Sequence, residues 1–423
     1  MPKELSGHSQ LQHRLMVVKC AQPVTDVKVR QIATIVTAHI RDKKDIVMER
    51  MECLNETNGE AVGLLMTYRC NLNCKYCYVQ TKREKDMSLD MAKSILEPFL
   101  MKKAGRLDIT FMGGETLLSI DVIRPLVEWV ECGSWNRAYR FFGSTNGTLL
   151  NAELKEWLKK YADVLTLGLS YDGLPSAQSH NRGTDKIDLD FFIQTWPKQP
   201  IQMTINTETV KQMADGVIYL LDKGGFVHPN VAYEAKEWTE DYITEYAVQL
   251  DKLINYYNNN AEKPLISQFI HNLSEYADNR DNPKELTRIC GAGYGFQVFD
   301  TNGESYPCHI LSPLVLSGEK LQRVKNGLLS QLTDFSNIDC QSCPYTTTCP
   351  TCIACNYLYR DGLQNRDKTH CQIMKLEVKA FIKKEVQRLT AKETLTSEDA
   401  TEIDAIKKLL EYESIQNLSQ DEI

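Results

Sequence analysis

Short apolar runs alternate with amphipathic stretches from Ala61 to about Glu234. Six of these runs, rich in β-branched and large apolar residues, predict strands: AVGLLMT, LDITFM, YRFFGS, VLTLGLS, IQMTIN and NVAYE. The segments between them have helical periodicity, so the pattern is a series of six βα units. Such a series predicts an α/β fold whose parallel strands curl into a partial (β/α)6, TIM-like barrel. Functional residues in that architecture collect at the C-terminal ends of the strands.

The helical segments carry start and stop signals. LDMAKSILEPFLMKK follows Ser88, a predicted N-cap, and contains Pro98, which predicts a kink. IDVIRPLVEWV and NAELKEWLKKYA predict two further helices. VKQMADGVIYLLDKG ends at Gly224 and Gly225, as expected at a helix stop.

The rest of the chain divides into further predicted units. Residues 1–58 form an N-terminal appendage, and the barrel spans residues 59–237. Residues 238–285 are predicted to be a bridge of polar helices. Residues 286–375 form a cysteine-rich domain with a β-hairpin, because the Asn-Gly pair in DTNGESYPC favours a tight turn. Residues 376–423 predict C-terminal helices and an acidic tail.

Composition and charge exclude several classes of protein. Hydrophobic residues make up 42% and charged residues 25% of the 423 residues, which is typical of a globular protein. The net charge of −7, without a basic block, argues against a nucleic-acid partner. No run of about 18 apolar residues occurs, so we expect no membrane-spanning helix. The N-terminal MPKELSGHSQLQHRL lacks a secretory signal, and we expect a cytoplasmic protein.

Cysteine is the residue type that changes this picture. The chain has 14 cysteines, more than a protein of a reducing compartment uses for disulfides. Cys20, Cys53 and Cys132 are scattered, and we interpret them as small buried apolar side chains. The other eleven are clustered between positions 70 and 77 and between positions 290 and 371. Clusters of this kind predict metal or iron–sulfur ligation.

Three cysteines follow the first predicted strand in TYRCNLNCKYCYVQ. Cys70, Cys74 and Cys77 are able to hold three corners of a cubane iron–sulfur cluster and to leave one iron without a protein ligand. A structural zinc site is the alternative, but it needs a fourth cysteine or histidine nearby, and tyrosine, valine and glutamine follow instead. An open iron fits better, provided that another ligand occupies it.

This spacing, with an aromatic residue before the last cysteine, resembles the signature of the radical SAM superfamily. In that family the amino and carboxylate groups of S-adenosylmethionine (SAM) chelate the open iron. Three further segments match in the expected order after the second, third and fourth strands: MGGET, STNGTLL and LSYDGLPSAQSHNR. The resemblance implies that the cofactor-binding residues are Tyr76, Gly113, Gly114, Glu115, Ser144, Asn146, Ser170, Arg182 and Met203.

Several of these residues have a role implied by the family. Glu115 corresponds to the carboxylate that meets the methionine amino group, and the glycines before it allow a close approach of the backbone. Ser170 and Arg182 correspond to ribose and carboxylate contacts, and Met203 corresponds to an adenine contact. The alternatives are a surface arginine at position 182 and a buried strand methionine at position 203.

The eight C-terminal cysteines resemble the SPASM extension of radical SAM enzymes, which carries two auxiliary [4Fe–4S] clusters. The resemblance covers the chain from about Ala61 to Cys371. It assigns Cys290 and Cys308 to the first auxiliary cluster. It assigns four cysteines to the second: Cys340, Cys343, Cys349 and Cys371. A zinc ribbon is the alternative for these four.

The chain departs from the SPASM pattern at one place. The family has Cys-x3-Cys after the spacing of five residues, whereas this chain has Cys349-x2-Cys352-x2-Cys355. Cys352, Cys355 or both therefore complete the first auxiliary cluster. If one ligates, an iron stays open to a substrate thiolate; if both do, the cluster is closed.

The resemblance implies reductive cleavage of SAM to methionine and a 5′-deoxyadenosyl radical, which takes a hydrogen atom from a substrate. The expected cofactors are SAM and three [4Fe–4S] clusters, and the expected electron donor is a flavodoxin- or ferredoxin-type reductant. A non-catalytic, zinc-binding interaction module is the hypothesis from a different class. It needs neither the Gly-Gly-Glu segment nor Arg182.

Two kinds of enzyme with the double extension are contenders. Peptide maturases modify a ribosomally made precursor peptide that carries a leader, whereas sulfatase maturases form formylglycine. The latter have an acidic base after the hairpin cysteine, where this chain has His309, our candidate catalytic residue. A histidine that only packs beside the site is the alternative. We therefore expect a thioether crosslink in a cysteine-containing precursor, with a carbon–carbon crosslink next, and we expect residues 1–58 to help bind the leader.

Overall fold

A computed structural model describes residues 60–80, 82–103, 105–233, 238–281, 290–293, 295–331, 340, 343–346, 349 and 351–421. The predicted appendage, residues 1–58, lies outside the described residues. The described residues belong to one compact unit, and the fold is given for that unit alone.

Eight strands form two sheets in the described part of the chain. They are β1 (Glu60–Thr67), β2 (Leu107–Gly113), β3 (Tyr139–Thr145), β4 (Leu165–Leu169), β5 (Ile201–Ile205), β6 (Val227–Val231), β7 (Phe296–Phe299) and β8 (Ser305–Tyr306). The first sheet has the order β4-β3-β2-β1-β7-β8, and only the β7–β8 pair is antiparallel. The second sheet pairs β5 with β6 in parallel. A single parallel bridge between Ser170 and Gln202 connects the two sheets. The α/β prediction with a parallel arc of strands is confirmed.

Twelve helices accompany these strands in the described residues. They are α1 (Leu89–Leu100), α2 (Ile120–Cys132), α3 (Ala152–Lys160), α4 (Pro175–Arg182), α5 (Leu189–Thr195), α6 (Met213–Asp222), α7 (Glu240–Asn259), α8 (Leu273–Asp281), α9 (Gly318–Lys325), α10 (Ile353–Arg360), α11 (Lys368–Thr390) and α12 (Ser397–Asp421). Short 3-10 turns occur at Thr116–Ser119, Val210–Gln212, Ser267–Phe269 and Leu328–Gln331. No helix in the part of the chain that the structure describes is long and apolar enough to cross a bilayer.

The predicted cap of α1 is present, and α3 has a cap of the same kind that the sequence analysis did not predict. The Ser88 hydroxyl accepts a hydrogen bond from the Met91 N–H at 3.2 Å, which satisfies one free donor at the start of α1. Asn151 accepts from the Leu154 N–H at 2.8 Å and caps α3 in the same way. The C-terminal end of α6 lies two residues before Gly224. Gly224 has a φ of 85°, which few residues other than glycine adopt.

The sixth strand begins earlier than its sequence indicated. We predicted NVAYE from Asn230, but β6 begins at Val227 and contains Pro229. Because β6 has only β5 as a neighbour among the described strands, a missing N–H on its other side breaks no ladder. The buried positions alternate along Val227, Pro229 and Val231, so proline takes a core position in this strand.

The β7–β8 hairpin extends the sheet of the barrel. Its turn contains Gly303 at a φ of 82°, as the Asn-Gly pair predicted. β7 lies parallel to β1, with Leu64 opposite Phe299. β7 therefore lies between β1, which leads to Cys70, and β8, which leads to Cys308. The first sheet thus joins residues of the predicted barrel and of the predicted cysteine-rich domain.

The C-terminal helices pack on the bridge helices. α11 packs against α7, and α12 packs against α8. The tail that we expected to be an acidic extension is thus helical as far as Asp421. Within the predicted bridge of polar helices, the segment LISQFIHNLSEYADN is not one continuous helix: it forms the 3-10 turn at Ser267–Phe269 and then α8.

A partly buried carboxyl group, that of Glu377, lies between α7 and α11 and is expected to make the stability of this part dependent on pH. Burial raises the pKa of Glu377 from 4.5 to about 7, although the Tyr246 hydroxyl donates to it at 2.5 Å. Between these two pH values the folded chain keeps a proton that the unfolded chain has lost. The free energy of unfolding therefore falls as the pH rises through this window and is level above it.

Glu377→Gln is expected to raise the free energy of unfolding at pH 8 by about 3 kcal/mol and to change it little at pH 4. Urea unfolding of the reconstituted protein, followed by circular dichroism at both pH values, measures the difference. Glu398→Gln on the exposed surface of α12 is the control and should have no such effect. An equal change at the two pH values would contradict the assignment.

Candidate active site

The cysteine loop, residues 68–80, leaves β1 at the C-terminal edge of the sheet. Cys70, Cys74 and Cys77 are free thiols that are partly buried in it, and the Cys77 N–H donates to the Cys74 carbonyl at 3.1 Å. Burial raises the pKa of Cys74; nearby Arg182 opposes this shift, and the thiols of Cys77 and Cys70 add to it. The structure thus brings the three predicted ligands together and places Arg182 beside them.

Gly113 and Gly114 dock the end of β2 on the cysteine loop. A Cβ on Gly113 would lie 2.3 Å from the Thr67 carbonyl oxygen, and a Cβ on Gly114 would lie 2.2 Å from that of Arg69. The Gly114 N–H donates to Thr67 at 3.1 Å, and the next N–H donates to Arg69 at 2.9 Å. Glycine is needed here because any side chain would clash with this backbone. The close approach that we predicted is therefore an approach to the loop that carries the cysteines.

Glu115 ties this turn to the end of β3. Its carboxylate accepts from the Thr145 hydroxyl at 2.7 Å, the Asn146 N–H at 2.8 Å and the Leu117 N–H at 3.0 Å. The residue is 2% exposed, and burial raises its pKa while these hydrogen bonds oppose the shift. The carboxylate fixes the relative position of two strand ends. Its contact with a methionine amino group remains a prediction.

Asn146 links the third strand end to the cysteine loop. Its side-chain amide donates to Asn71 Oδ1 at 2.9 Å, and its own Oδ1 accepts from the Thr148 hydroxyl at 2.6 Å. Asn71 closes the ring by donating to the Thr148 hydroxyl at 2.7 Å. Ser144 lies in the same strand end and is exposed. Both predicted residues therefore lie at the C-terminal edge.

Asp172 is the central residue of the site, and the sequence analysis missed it. Its Oδ1 accepts from Arg182 Nη2 at 3.0 Å and from the Thr204 N–H at 3.1 Å. Its Oδ2 accepts from the Tyr76 hydroxyl at 2.6 Å and from Asn181 Nδ2 at 3.1 Å. The carboxylate is 1% exposed. An acidic residue directly before a glycine after β4, in SYDG, is the signal that was available.

Arg182 is buried, which rejects the surface alternative for this residue. It is 8% exposed, and its guanidinium carbon lies 5.4 Å from the centre of the Tyr76 ring. Asp172 raises its pKa above the ordinary value although burial opposes this. Its Nε is buried and has no hydrogen-bond partner among the described residues. A buried cation with a donor to spare, beside Cys74, fits the carboxylate of SAM.

Two further predicted residues lie at the edge of this group. Ser170 is partly buried, and its N–H donates to the Thr145 carbonyl at 2.9 Å. Met203 is 3% exposed, and its methyl group lies 2.9 Å from where a Cβ on Gly173 would be and 3.0 Å from one on Gly216. It occupies the core position of our alternative interpretation, and its adenine contact remains a prediction.

Electrostatic interactions sort the eight C-terminal cysteines into two sets. Burial raises the pKa of Cys308 to about 12, and Cys352 and Cys290 add to the shift. Burial likewise raises the pKa of Cys343 to about 12, and three other thiols add to it: Cys371, Cys349 and Cys340. As placed, the described residues contain no group of three or more His, Cys, Asp or Glu side chains suited to a single metal ion. We call the groups the first auxiliary set (Cys290, Cys308, Cys352 and Cys355) and the second auxiliary set (Cys340, Cys343, Cys349 and Cys371).

Cys352 and Cys355 both belong to the first auxiliary set. Cys352 is the N-cap of α10, and its sulfur accepts from the Cys355 N–H at 3.5 Å. Hydrogen bonds from the Cys355 side chain and from the start of the helix lower the pKa of Cys352. Cys355 is 2% exposed. Together with Cys308, it helps to raise the pKa of Tyr78, so it lies near both residues. Neither thiol lies apart from this set.

His309 follows Cys308 and faces the cysteine loop. Its ring centroid lies 5.5 Å from that of Tyr78. Burial lowers its pKa to about 4, so the ring is neutral near pH 7. Its Nδ1 is buried and lacks a hydrogen-bond partner in the described part of the chain.

Comparison with known proteins agrees with this geometry. Residues 64–226 match the family described as the radical SAM superfamily. The chain therefore carries a radical SAM domain over these residues. The matched residues run from β1 almost to β6 and include every residue of the barrel that we assigned to the site. A radical SAM domain implies one [4Fe–4S] cluster and SAM, and the donor set around Cys70 and Arg182 fits both.

Two curated relatives illustrate how far the similarity extends. The chain is 36% identical over 111 residues to the uncharacterized protein MJ0907 of Methanocaldococcus jannaschii, covering 26% of this radical SAM chain and 38% of the relative. It is 23% identical over 259 residues to the antilisterial bacteriocin subtilosin biosynthesis protein AlbA of Bacillus subtilis, covering 57% and 53%. The chain thus spans less than two thirds of either relative.

Two solved structures share the fold. Native anSMEcpe with bound AdoMet and Kp18Cys peptide superposes with a TM-score of 0.57 at 17% identity, covering 78% of this chain and 98% of that one. Streptococcus suis SuiB bound to its precursor peptide SuiA superposes with a TM-score of 0.50 at 16% identity, covering 84% of each chain. Their extent shows that the fold is shared beyond the barrel residues.

Proposed function

We propose that this radical SAM enzyme matures a ribosomally made precursor peptide and joins a cysteine sulfur of that peptide to a carbon atom. Three [4Fe–4S] clusters would serve the reaction, one at the cysteine loop and two in the auxiliary sets. The observation that supports the proposal most is that Cys308, Cys352 and Cys355 pack in one apolar cluster, while the thiols near Cys343 are a different group: Cys340, Cys349 and Cys371. The similarity to AlbA and to the peptide-bound anSMEcpe and SuiB supports a peptide as the substrate.

The residues of the cysteine loop would hold the first cluster and orient SAM. Cys70, Cys74 and Cys77 would supply three thiolates, and the cluster together with SAM would supply a 5′-deoxyadenosyl radical for hydrogen abstraction. Arg182, held by Asp172, has the charge and the donor to bind the carboxylate of the methionine part. The tight contact of Gly113 with Thr67 keeps the loop in place while the cofactor is bound.

Apolar packing around the cysteine loop supports exclusion of water from the reaction. Leu65, Tyr68, Val79, Val298 and Leu314 form a buried group that contacts Cys77. Part of this group comes from β7 and from the segment after the hairpin. A radical intermediate needs such shielding from solvent.

Both Cys352 and Cys355 are proposed to ligate the first auxiliary cluster. Their sulfurs are neighbours, and the helix N-terminus at Cys352 favours a thiolate. Four protein ligands would leave no iron open to a substrate thiolate. The substrate cysteine would then be held by protein groups, and we retain His309 as the candidate catalytic residue because its buried Nδ1 has no partner in the described structure.

The partners that we propose are a precursor peptide with a leader and a flavodoxin- or ferredoxin-type reductant. Residues 1–58, which precede the described structure, remain our candidate for binding the leader. Cleavage of SAM consumes one electron, so a one-electron donor is required by the chemistry.

Anaerobic co-expression with a cysteine-containing precursor peptide is the test. A thioether is expected to lower the peptide mass by two hydrogens for each crosslink and to remove one thiol from alkylation by iodoacetamide. The matched control is the Cys70→Ala enzyme, which should return the peptide unchanged. Loss of two hydrogens with every thiol still alkylated would instead indicate a carbon–carbon crosslink. Loss of sulfur from a cysteine would indicate formylglycine and would overturn the proposal.

A further inference from the structure

A tyrosine and a histidine pack together between the cysteine loop and the first auxiliary set. Tyr78 directly follows Cys77, and His309 directly follows Cys308. Their rings are tilted by 50° with centroids 5.5 Å apart. Tyr78 contacts the apolar group that includes Cys77 and also the one that includes Cys308 and Cys355. One aromatic contact therefore joins two ligand-bearing segments.

A second tyrosine and histidine repeat this arrangement at the second auxiliary set. Tyr233 stacks on His370 with ring centroids 4.0 Å apart and an angle of 20°. His370 directly precedes Cys371 and is 9% exposed. Tyr233 also packs on the apolar group that includes Cys355 of the first auxiliary set. This pair thus joins the two auxiliary sets.

The charges around the two tyrosines agree with these positions. Burial raises the pKa of Tyr78, and the thiols that add to the shift belong to both sides: Cys77, Cys355, Cys308 and Cys352. Burial also raises the pKa of Tyr233, and the added thiols again come from two sets: Cys352, Cys355 and Cys349. Each tyrosine therefore lies within electrostatic range of two different cysteine sets.

A ring contact of this kind offers an efficient path for an electron. Electron transfer through protein slows steeply with distance and with each gap between packed atoms. In the first pair, each ring belongs to the residue that directly follows a proposed cluster ligand: Tyr78 follows Cys77, and His309 follows Cys308. Only the gap between the two rings therefore separates the two segments. Burial removes water whose reorientation would otherwise oppose the transfer.

We propose that the two Tyr–His pairs conduct single electrons between the clusters, which rests on the proposed function because it requires three clusters. Tyr78 and His309 connect the cysteine loop with the first auxiliary set; Tyr233 and His370 connect the two auxiliary sets. A flavodoxin- or ferredoxin-type protein supplies the electron. Each transfer oxidises one cluster and reduces the next by one electron, with no proton moved and no bond formed or broken. The rings provide the path and are not themselves oxidised.

The test uses the full chain with its clusters reconstituted without air. The reduced donor protein is mixed rapidly with the enzyme, samples are frozen at intervals, and electron paramagnetic resonance follows each cluster; the cluster at the cysteine loop is recognised by its response to added SAM. Tyr78→Leu is expected to slow reduction of that cluster severalfold at unchanged iron content and reduction potentials. The matched control Tyr78→Phe, which keeps the ring, should reduce at the native rate. Tyr233→Leu should slow the transfer between the auxiliary clusters.

The possible outcomes separate this inference from the proposed function. A Tyr78→Leu enzyme that holds all its iron and is reduced as fast as the native enzyme would overturn the inference. If Tyr78→Leu loses iron, the rate of reduction is measured in His309→Leu instead, because this variant removes the facing ring and leaves the cysteine loop unchanged. Reduction of its cysteine-loop cluster at the native rate would likewise overturn the inference. A native chain that binds fewer than three clusters would overturn the proposed function and the inference with it.

Discussion

Replacement of Cys70, Cys74 and Cys77 together by alanine is expected to abolish SAM cleavage and to leave most of the bound iron. If all three clusters are cubanes, the native chain holds about twelve irons and the variant about eight. The reason is that the auxiliary sets draw their eight thiols from other parts of the chain. Iron analysis and chromatography of 5′-deoxyadenosine measure the two quantities on the same anaerobic sample.

Cys132→Ala provides the matched control for this experiment. We interpreted Cys132 as buried, but this was wrong: it is exposed at the end of α2. It belongs to none of the three sets, so iron content and SAM cleavage should both be unchanged. Persistent cleavage in the triple variant would show that the radical site lies elsewhere. A colourless native protein that contains zinc would instead support the interaction module.

The barrel strands and their chemistry could be predicted because local signals coincide there. In β1 the apolar run, the loop and the cysteines follow one another without a gap, so one segment determines both the strand and the ligands. The caps at Ser88 and Asn151 are equally local, since each side chain bonds to an N–H three residues away. Such features depend on neighbours in sequence, which one chain displays directly.

Features that depend on distant partners could not be predicted in this way. The pairing of β7 with β1 joins residues more than two hundred positions apart, and nothing in DTNGESYPC specifies which strand it will join. The start of β6 could not be predicted locally, because proline at position 229 is tolerated only where one side of a strand is unpaired, and that depends on the neighbouring strands. Met203 was ambiguous because a core position and a ligand contact favour the same side chain.

Asp172 shows why a site is harder to predict than its motifs. The family resemblance identified Arg182 and Tyr76, whose positions the motif defines. The residue that holds both of them lies between β4 and α4, and its four hydrogen bonds come from three segments of the chain. Only the folded structure brings these donors to one carboxylate.

Asp172→Asn is expected to be the most damaging single substitution in the site. The change removes the charge that balances Arg182 and directs an amide N–H at groups that are themselves donors. Breaking a buried ion pair by removing one partner costs about 3–5 kcal/mol, and we expect a loss of this size in the free energy of unfolding. SAM affinity should fall as well, because Arg182 and Tyr76 lose the acceptor that orients them. Urea unfolding and isothermal titration of the reconstituted enzyme measure the two effects.

Two comparisons determine whether the ion pair is the cause. Asp188→Asn is the matched control, because Asp188 pairs with Lys155 near the surface and caps α5. Asparagine caps a helix equally well, and an exposed ion pair contributes at most about 1 kcal/mol, so this substitution should change the free energy of unfolding little. In an Arg182→Met background, Asp172→Asn should cost much less than in the native chain, because no buried cation is left uncompensated. If the losses in the free energy of unfolding from the two substitutions were additive, the charge of Arg182 would not explain the effect of Asp172→Asn. Asp172 would then act through its hydrogen bonds with Tyr76, Asn181 and the Thr204 N–H.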